Sequence, residues 1–300
     1  MSPSTSSSSA LYDRVLIIGN RGMLAHTLNA TLAGRGVTAH GVDRAECDVT
    51  DPKQVAALFD RVRPTLVFNC AAYTAVDKCE TETATADAVN GHAVGHLAAE
   101  AKKHSAALVH YSTDFVFDGT ASRPYTPADP TNPLSAYGRS KLLGEQQLQA
   151  NAPARWLICR TAWLYGPNGA SFPKTMVNAA RAGKPLKVVS DQRGSPTYTF
   201  HLAATTLALL DAGAHGVWHT TNRGETTWFE FTKAILSTFG IDQPVAAITA
   251  ADWKALRPES AHRPAYSVLD VTPIEKLTGK PAPTWQEGLA SYRAAVGDAP

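Results

Sequence analysis

Long apolar runs are missing from this 300-residue chain, and no stretch approaches the roughly 20 consecutive apolar residues of a membrane-spanning helix. No membrane partner is therefore expected. An excess of one charge sign is missing as well: 28 Lys and Arg against 26 Asp and Glu leave +2, so nothing points to a polyanion-binding surface or a nucleic-acid partner. Cysteine is sparse. Cys47, Cys70, Cys79 and Cys159 lie far apart without a CxxC pair. This argues against a disulfide scaffold and a zinc ribbon and fits a reducing, cytoplasmic setting. The serine-rich opening has neither the basic start nor the apolar core of a signal peptide. With nothing in it to bury, a disordered tail is expected over residues 1–12. Internal repeats are absent too.

What is present is ordinary globular composition, 44% hydrophobic and 18% charged, in a chain long enough for two domains. Val15 to Ile18 is a short apolar run ending at Gly19, as in a strand buried on both faces. Leu24, Leu28 and Leu32 recur four apart and predict a helix. A strand over 38–42 follows, and then Asp51-Pro52 opens a second helix as N-cap and first residue. Strands over 66–68 and 107–112 enclose a long alanine-rich helix over 83–104. A helix over 137–150 and a strand over 156–160 continue the alternation. Four prolines in 123–133 predict a surface loop. The alternation predicts an α/β fold, a Rossmann-type doubly wound parallel sheet covered on both faces. Beyond residue 166 the rhythm loosens, with helices expected over 201–211 and 228–239. The expected domains are a dinucleotide-binding unit over 13–165, joined by 197–222, and a smaller α/β C-terminal substrate domain over 166–300.

The first candidate site is Gly19-Asn20-Arg21-Gly22-Met23-Leu24-Ala25, between the first strand and its helix. Small residues there let the backbone approach a pyrophosphate, and the helix N-terminus offers free N–H groups to its oxygens. Asp43 ends the second strand, where an acid can bind ribose hydroxyls, but Arg44 beside it and Arg21 in the turn can hold a 2′-phosphate instead. The two arginines favour NADPH and leave NADH open. Asp48, with Val49 after it, is either a contact to the adenine or a turn residue serving Thr50.

A second constellation is Tyr137-Gly138-Arg139-Ser140-Lys141. Positions i and i+4 share a helix face, so phenol and ammonium can reach one cleft, where the positive charge would bring the phenol closer to neutral pH. Upstream, Thr113 ends a strand, where an open parallel sheet binds its ligands. A glycine turn, a strand-end hydroxyl and YxxxK in that order resemble the short-chain dehydrogenase/reductase superfamily.

The intervening segments narrow the resemblance. Asn69 to Lys78 (NCAAYTAVDK), Ser112 to Gly119 (STDFVFDG), Tyr137 to Glu145 (YGRSKLLGE), Arg160 to Gly166 (RTAWLYG), Asp191 to Thr197 (DQRGSPT) and Arg263 to Asp270 (RPAYSVLD) are similar to the motifs of dTDP-4-dehydrorhamnose reductases. The likeness covers about residues 14–292. It implies reduction of the C4 ketone of a dTDP-linked 6-deoxyhexulose by NADPH or NADH. Thr113 and Tyr137 would contact the ketone, and Lys141 would support Tyr137 and bind the nicotinamide ribose. Gly22, Met23, Leu24, Ala71, Ala72 and Tyr73 would line the dinucleotide, and Asp114, Phe115 and Trp163 the sugar. The resemblance also admits a homodimer and a divalent ion such as Mg2+ at a subunit interface, although no metal ligands are assigned.

Three departures stand out: Cys70 replaces a usual alanine, Phe115 a tyrosine and Tyr266 an asparagine. Two other readings stay open. One is a reductase of a different nucleotide-linked keto sugar. The other is a non-catalytic NADP-binding regulatory subunit like the β subunit of methionine adenosyltransferase.

Overall fold

Six parallel strands form the centre of the molecule in the computed structural model, which describes residues 10–298. They are β1 (Val15–Ile18), β2 (Ala39–Val42), β3 (Leu66–Asn69), β4 (Ala107–Thr113), β5 (Trp156–Thr161) and β6 (Gly216–His219). Their spatial order is β6-β5-β4-β3-β1-β2. The chain runs outward from β1 to β2 and then returns to β3, so the order reverses between β1 and β3. Ligands of open parallel sheets bind in the crevice at the carboxyl ends of such strands.

Strand side chains alternate between faces, and the core divides accordingly. Ile17, Phe68 and Val109 pack on one side with Leu24 and Leu28 of α1 (Met23–Ala33) and with Leu202 and Leu207. Leu16, Ile18, Val67 and Leu108 pack on the other with Val55 and Phe59 of α2 (Pro52–Val62). Asp51 caps α2, accepting from Lys53 N at 2.9 Å, with Pro52 at the first position.

The long alanine-rich helix is interrupted. Helical segments α3 (Thr83–Ala86) and α4 (Ala93–Lys103) are joined by a π-turn over Asp87–His92. The interruption faces α5 (Ala136–Ala150), whose Gly144 comes so close that a Cβ there would lie 2.2 Å from the Asn90 carbonyl oxygen. Apolar periodicity carries no sign of such an insertion.

Residues 172–298 supply most of a second lobe, built on α6 (Phe172–Arg181), α7 (Thr199–Asp211), α8 (Trp228–Thr238), α9 (Ala250–Leu256), α10 (Thr272–Thr278) and α11 (Trp285–Val296). Tyr165, Tyr198, Phe231, Trp285 and Tyr292 form its aromatic core. Three of these segments pack on the sheet rather than in that lobe: β6 pairs with β5, α7 packs on α1 through a buried Thr27–Thr199 hydroxyl contact at 2.9 Å, and α10 lies against α7 and β6 with Ile274 in the sheet's core.

One expectation is corrected here. The expected tail over 1–12 lies outside the described residues up to residue 9, but Leu11 is 7% exposed within the core and the Tyr12 hydroxyl donates to Asp211 at 2.8 Å. Apolar contact and a hydrogen bond thus order its last residues. The proline-rich 123–133 segment is a surface loop without helix or strand, anchored at the buried Tyr125. Tyr125 N donates to the Val268 carbonyl and Asp270 N to the Tyr125 carbonyl, at 2.8 and 2.7 Å.

Candidate active site

The turn after β1 is shaped by a positive backbone angle. Gly19 has φ +79°, and a Cβ there would lie 2.7 Å from the Ala71 amide nitrogen, so only glycine lets the chains leaving β1 and β3 touch. Gly22 is the N-cap of α1 and provides no side-chain cap, which leaves the first-turn N–H groups free for an anion. Leu24 faces the core at 7% exposure, so toward this cradle it can offer only backbone. The geometry fits a dinucleotide pyrophosphate.

At the adjoining strand end, Asp43 accepts from Arg21 N at 3.0 Å. The Arg21 and Arg44 side chains are 80% and 89% exposed. Asp48 is engaged in its own turn, accepting from Thr50 N and Oγ1 at 3.0 and 2.7 Å. Those bonds hold its carboxyl below the usual range. Val49 is buried in the core.

Strand β4 carries Thr113 to the crevice. Its hydroxyl donates to Asp114 Oδ1 at 3.0 Å and accepts from Phe115 N at 3.2 Å. Asp114 is 2% exposed, and burial pushes its carboxyl up to about 6 against the opposing pull of Ser267 and Thr113. Facing it is the start of α5. Ser135 caps the helix by accepting from Gly138 N at 3.1 Å, and Glu80 Oε1 accepts from Ala136 N at 2.8 Å. A Cβ on Gly138 would lie 2.3 Å from the Phe115 carbonyl oxygen. That close approach sets the Tyr137 ring edge-on to Phe115, with centroids 5.5 Å apart.

Burial raises the Tyr137 phenol well above its ordinary value; Asp114 adds to the rise and Thr113 opposes it. Helical spacing predicts Lys141 as the charge that brings the phenol down. The structure differs, because Lys141 turns inward: at 3% exposure its Nζ donates to the Tyr111 carbonyl at 2.5 Å and faces His110 Nε2 at 3.5 Å. Burial pulls the ammonium down to about 8, with Glu145 opposing.

Several residues that local spacing does not single out hold this arrangement. Asn90, fully buried in the π-turn, accepts from Tyr73 N at 2.8 Å and donates to the Tyr73 carbonyl and to Ser140 Oγ, both at 3.0 Å. It thereby ties the Ala71-Ala72-Tyr73 segment to the residue before Lys141. Beneath them Glu145 and Arg160 form a buried two-pronged ion pair at 2.9 and 2.7 Å, joined by Ser112 at 2.5 Å. In the sequence, Asn90 followed by Gly91 within an alanine-rich stretch is the trace of the first.

On the opposite wall Trp163 has φ +47° and stacks on Trp228 at 3.5 Å with 8° between planes. Gly194 makes room for its indole, since a Cβ there would come within 2.5 Å of it. Segments 191–197 and 263–270 pair through Arg193 N to the Ala265 carbonyl and Ser267 N to the Arg193 carbonyl, both at 2.8 Å. Arg263 then reaches Asp77, in the loop after β3, at 2.9 Å. The substituted Tyr266 donates to Glu225 at 3.2 Å. Among the described residues no group of three or more His, Cys, Asp and Glu could hold a metal ion.

Comparison with known proteins agrees over nearly the whole chain. A family model described as RmlD substrate binding domain matches residues 13–297. A dTDP-4-dehydrorhamnose reductase of Burkholderia thailandensis is 39% identical over 287 residues, covering 91% of this chain and 95% of the relative. A dTDP-4-keto-6-deoxy-D-glucose reductase of Streptomyces niveus is 40% identical, covering 86% and 88%. The crystal structure of dTDP-4-dehydrorhamnose reductase from Bacillus anthracis in complex with NADP superposes with a TM-score of 0.89 at 32% identity, covering 94% of this chain and 99% of that one.

Proposed function

The chain belongs to the RmlD substrate binding domain family, and from that premise we propose that it reduces the C4 ketone of dTDP-4-dehydrorhamnose to dTDP-L-rhamnose, as a step of dTDP-rhamnose biosynthesis. It is a nicotinamide-dependent oxidoreductase of a nucleotide sugar. The observation that carries the reading is the convergence, at the carboxyl ends of β1, β3 and β4, of an anion cradle with a hydroxyl and a phenol.

Gly19, Arg21, Gly22, Met23 and Leu24 would hold the dinucleotide with Ala71, Ala72 and Tyr73, and the bound dinucleotide supplies the hydride. Tyr137 gives its proton to the oxygen of the ketone as that oxygen becomes an alkoxide. A phenol raised by burial and by Asp114 stays protonated through neutral pH, which suits an acid in the reducing direction. Thr113 hydrogen-bonds the same oxygen, and Lys141 fixes the ribose side of the cleft. Asp114 and Trp163 contact the sugar, with Phe115 beside them. The guanidinium groups of Arg21 and Arg44 are exposed, each 3.5 Å from an acid (Asp43 and Asp48), and by turning to a 2′-phosphate they would favour NADPH over NADH.

The test is to incubate the protein with NADPH and enzymatically prepared dTDP-4-dehydrorhamnose. One equivalent of nicotinamide absorbance should be lost for each dTDP-L-rhamnose identified; no oxidation of NADPH sinks the reading. A second reading, reduction of another dTDP-linked keto sugar, is favoured by the Streptomyces niveus relative and by the Tyr266 and Phe115 exchanges. The same assay over a panel of keto sugars separates the two.

A further inference from the structure

His110 is 1% exposed on β4 and lies directly behind Lys141, yet the reaction as described gives it no part. Its ring stands between two donors. Asn69 Nδ2 is 3.1 Å from Nδ1, and Lys141 Nζ is 3.5 Å from Nε2. A neutral imidazole has one acceptor nitrogen and one N–H, so it cannot accept from both at once. A charged imidazole could accept from neither, and burial beside the Lys141 charge drives the ring strongly toward the neutral form.

Two arrangements use both ring nitrogens, and a neutral Lys141 that instead donated to Nε2 would, like the first of them, cost Ala71 N its Asn69 acceptor. In the first, Lys141 is an ammonium that donates to Nε2. Nδ1 then carries the proton, and the Asn69 amide must turn its oxygen toward it. In the second, Lys141 is an amine accepting from Nε2–H. Nδ1 then accepts from Asn69 Nδ2, and Asn69 Oδ1 is free to accept from Ala71 N, as it does at 3.2 Å. The two arrangements differ by one proton released to solvent from Lys141 and by one tautomeric shift within the ring.

We propose that His110 is a positioning residue whose tautomer is linked to the proton on Lys141, and that the linkage passes through Asn69 to the Ala71 N–H in the dinucleotide wall. Other groups face this chain of contacts. From α5 comes Glu145, neutralised by Arg160; after β3 comes the Cys70 thiol, which burial holds protonated; on β4 itself is the Tyr111 carbonyl that Lys141 also contacts. None of them offers a second proton near neutrality. A lysine that must hold its charge in a dry site gains an acceptor that can adjust to either of its protonation states. The meaning of the linkage for catalysis rests on the role given to Lys141 above; the linkage itself does not.

The decisive measurement uses the unsubstituted protein without substrate. Nitrogen-15 histidine spectra report which ring nitrogen of His110 carries the proton, and carbon-13 lysine labelling, assigned with Lys141→Arg, reports the titration of Lys141. His110 should pass from the Nδ1–H to the Nε2–H tautomer as Lys141 titrates near about 8. One tautomer throughout, or a protonated ring, overturns the proposal.

Two variants extend the test. His110→Gln keeps an acceptor within reach of Lys141 and should leave its titration nearly in place. The shorter His110→Asn does not reach, and should lower it about tenfold in proton affinity. The alkaline limb of kcat should move with that titration. A shifted Lys141 without turnover on any keto sugar would count against the proposed reaction alone, whereas turnover with an unshifted Lys141 and a fixed tautomer would count against the linkage alone.

Discussion

Asn90 Nδ2 lies 3.0 Å from Ser140 Oγ, and through that contact the π-turn of one helix holds the middle of the YxxxK segment in another. The same amide satisfies both backbone groups of Tyr73. Asn90→Ala would leave Tyr73 N without its acceptor and take a donor from the Tyr73 carbonyl, at about 1–3 kcal/mol for each group that finds no water, while Ser140 Oγ keeps its bond to the Tyr137 carbonyl. The expected result is a lower unfolding midpoint and a several-fold weaker NADPH affinity by fluorescence titration. Lost stability with unchanged NADPH affinity would show that Asn90 does not shape the dinucleotide wall.

Tyr137→Phe removes the phenolic proton while keeping the ring edge-on to Phe115. Turnover should fall by at least about 100-fold, the lower end of general-acid contributions. NADPH binding, measured without sugar, should remain within a few-fold. Retained turnover would reassign the proton donor.

Gly144→Ala tests the close passage of α5 over the π-turn. Its Cβ would meet the Asn90 carbonyl, a backbone atom that cannot swing aside, at 2.2 Å. Overpacking of this kind costs about 1–3 kcal/mol. Because relief requires α5 to move, kcat should drop together with the denaturation midpoint. A fully active, fully stable variant would mean that the two helices separate freely.

Glu145→Ala strands the Arg160 guanidinium, which is buried with its partner at 2.7 Å. Breaking a buried pair from one side costs about 3–5 kcal/mol. Denaturant unfolding should read a loss of that order, and Glu145→Gln should recover part of it because its amide oxygen can still accept from Arg160.

Asp114 gives the apo protein a pH dependence of known sign. Its carboxyl is raised from 3.8 to about 6, chiefly by burial, so the folded state binds its proton more tightly than the unfolded chain does. The stability it contributes is full below about 4 and is lost as pH rises through about 6, amounting to about 2–3 kcal/mol. Asp114→Asn should flatten the stability profile between those limits. Thermal midpoints across that range, compared with the parent, are the check; parallel profiles would place the titration elsewhere.

Much of the fold could be read directly. Strands β1 to β5 and helices α1, α5, α7 and α8 begin and end close to where apolar periodicity and caps put them, and α2 begins at the expected proline. Buried parallel strands are continuous apolar runs, and glycine, proline and capping residues mark their ends, all within a few positions of one another. The glycine turn and the hydroxyl at the end of β4 could be placed for the same reason: their position follows from the strand that precedes them.

What surrounds the candidate catalytic groups could not be read that way. Spacing of four put Tyr137 and Lys141 on one helix face, but whether Lys141 meets the phenol or the β4 backbone depends on how closely α5 descends on the sheet. That distance is set by Gly138 against Phe115 and by Gly144 against Asn90. The Trp163–Trp228 stack and the Arg263–Asp77 contact likewise join segments far apart in the chain. The order of strands and helices, the candidate anion cradle and the chemical types of the candidate catalytic groups are written in the sequence, because they depend on neighbours along the chain. Which charges and hydrogen bonds those groups feel is set in the folded molecule, because burial and partner choice arise when distant segments close on one another.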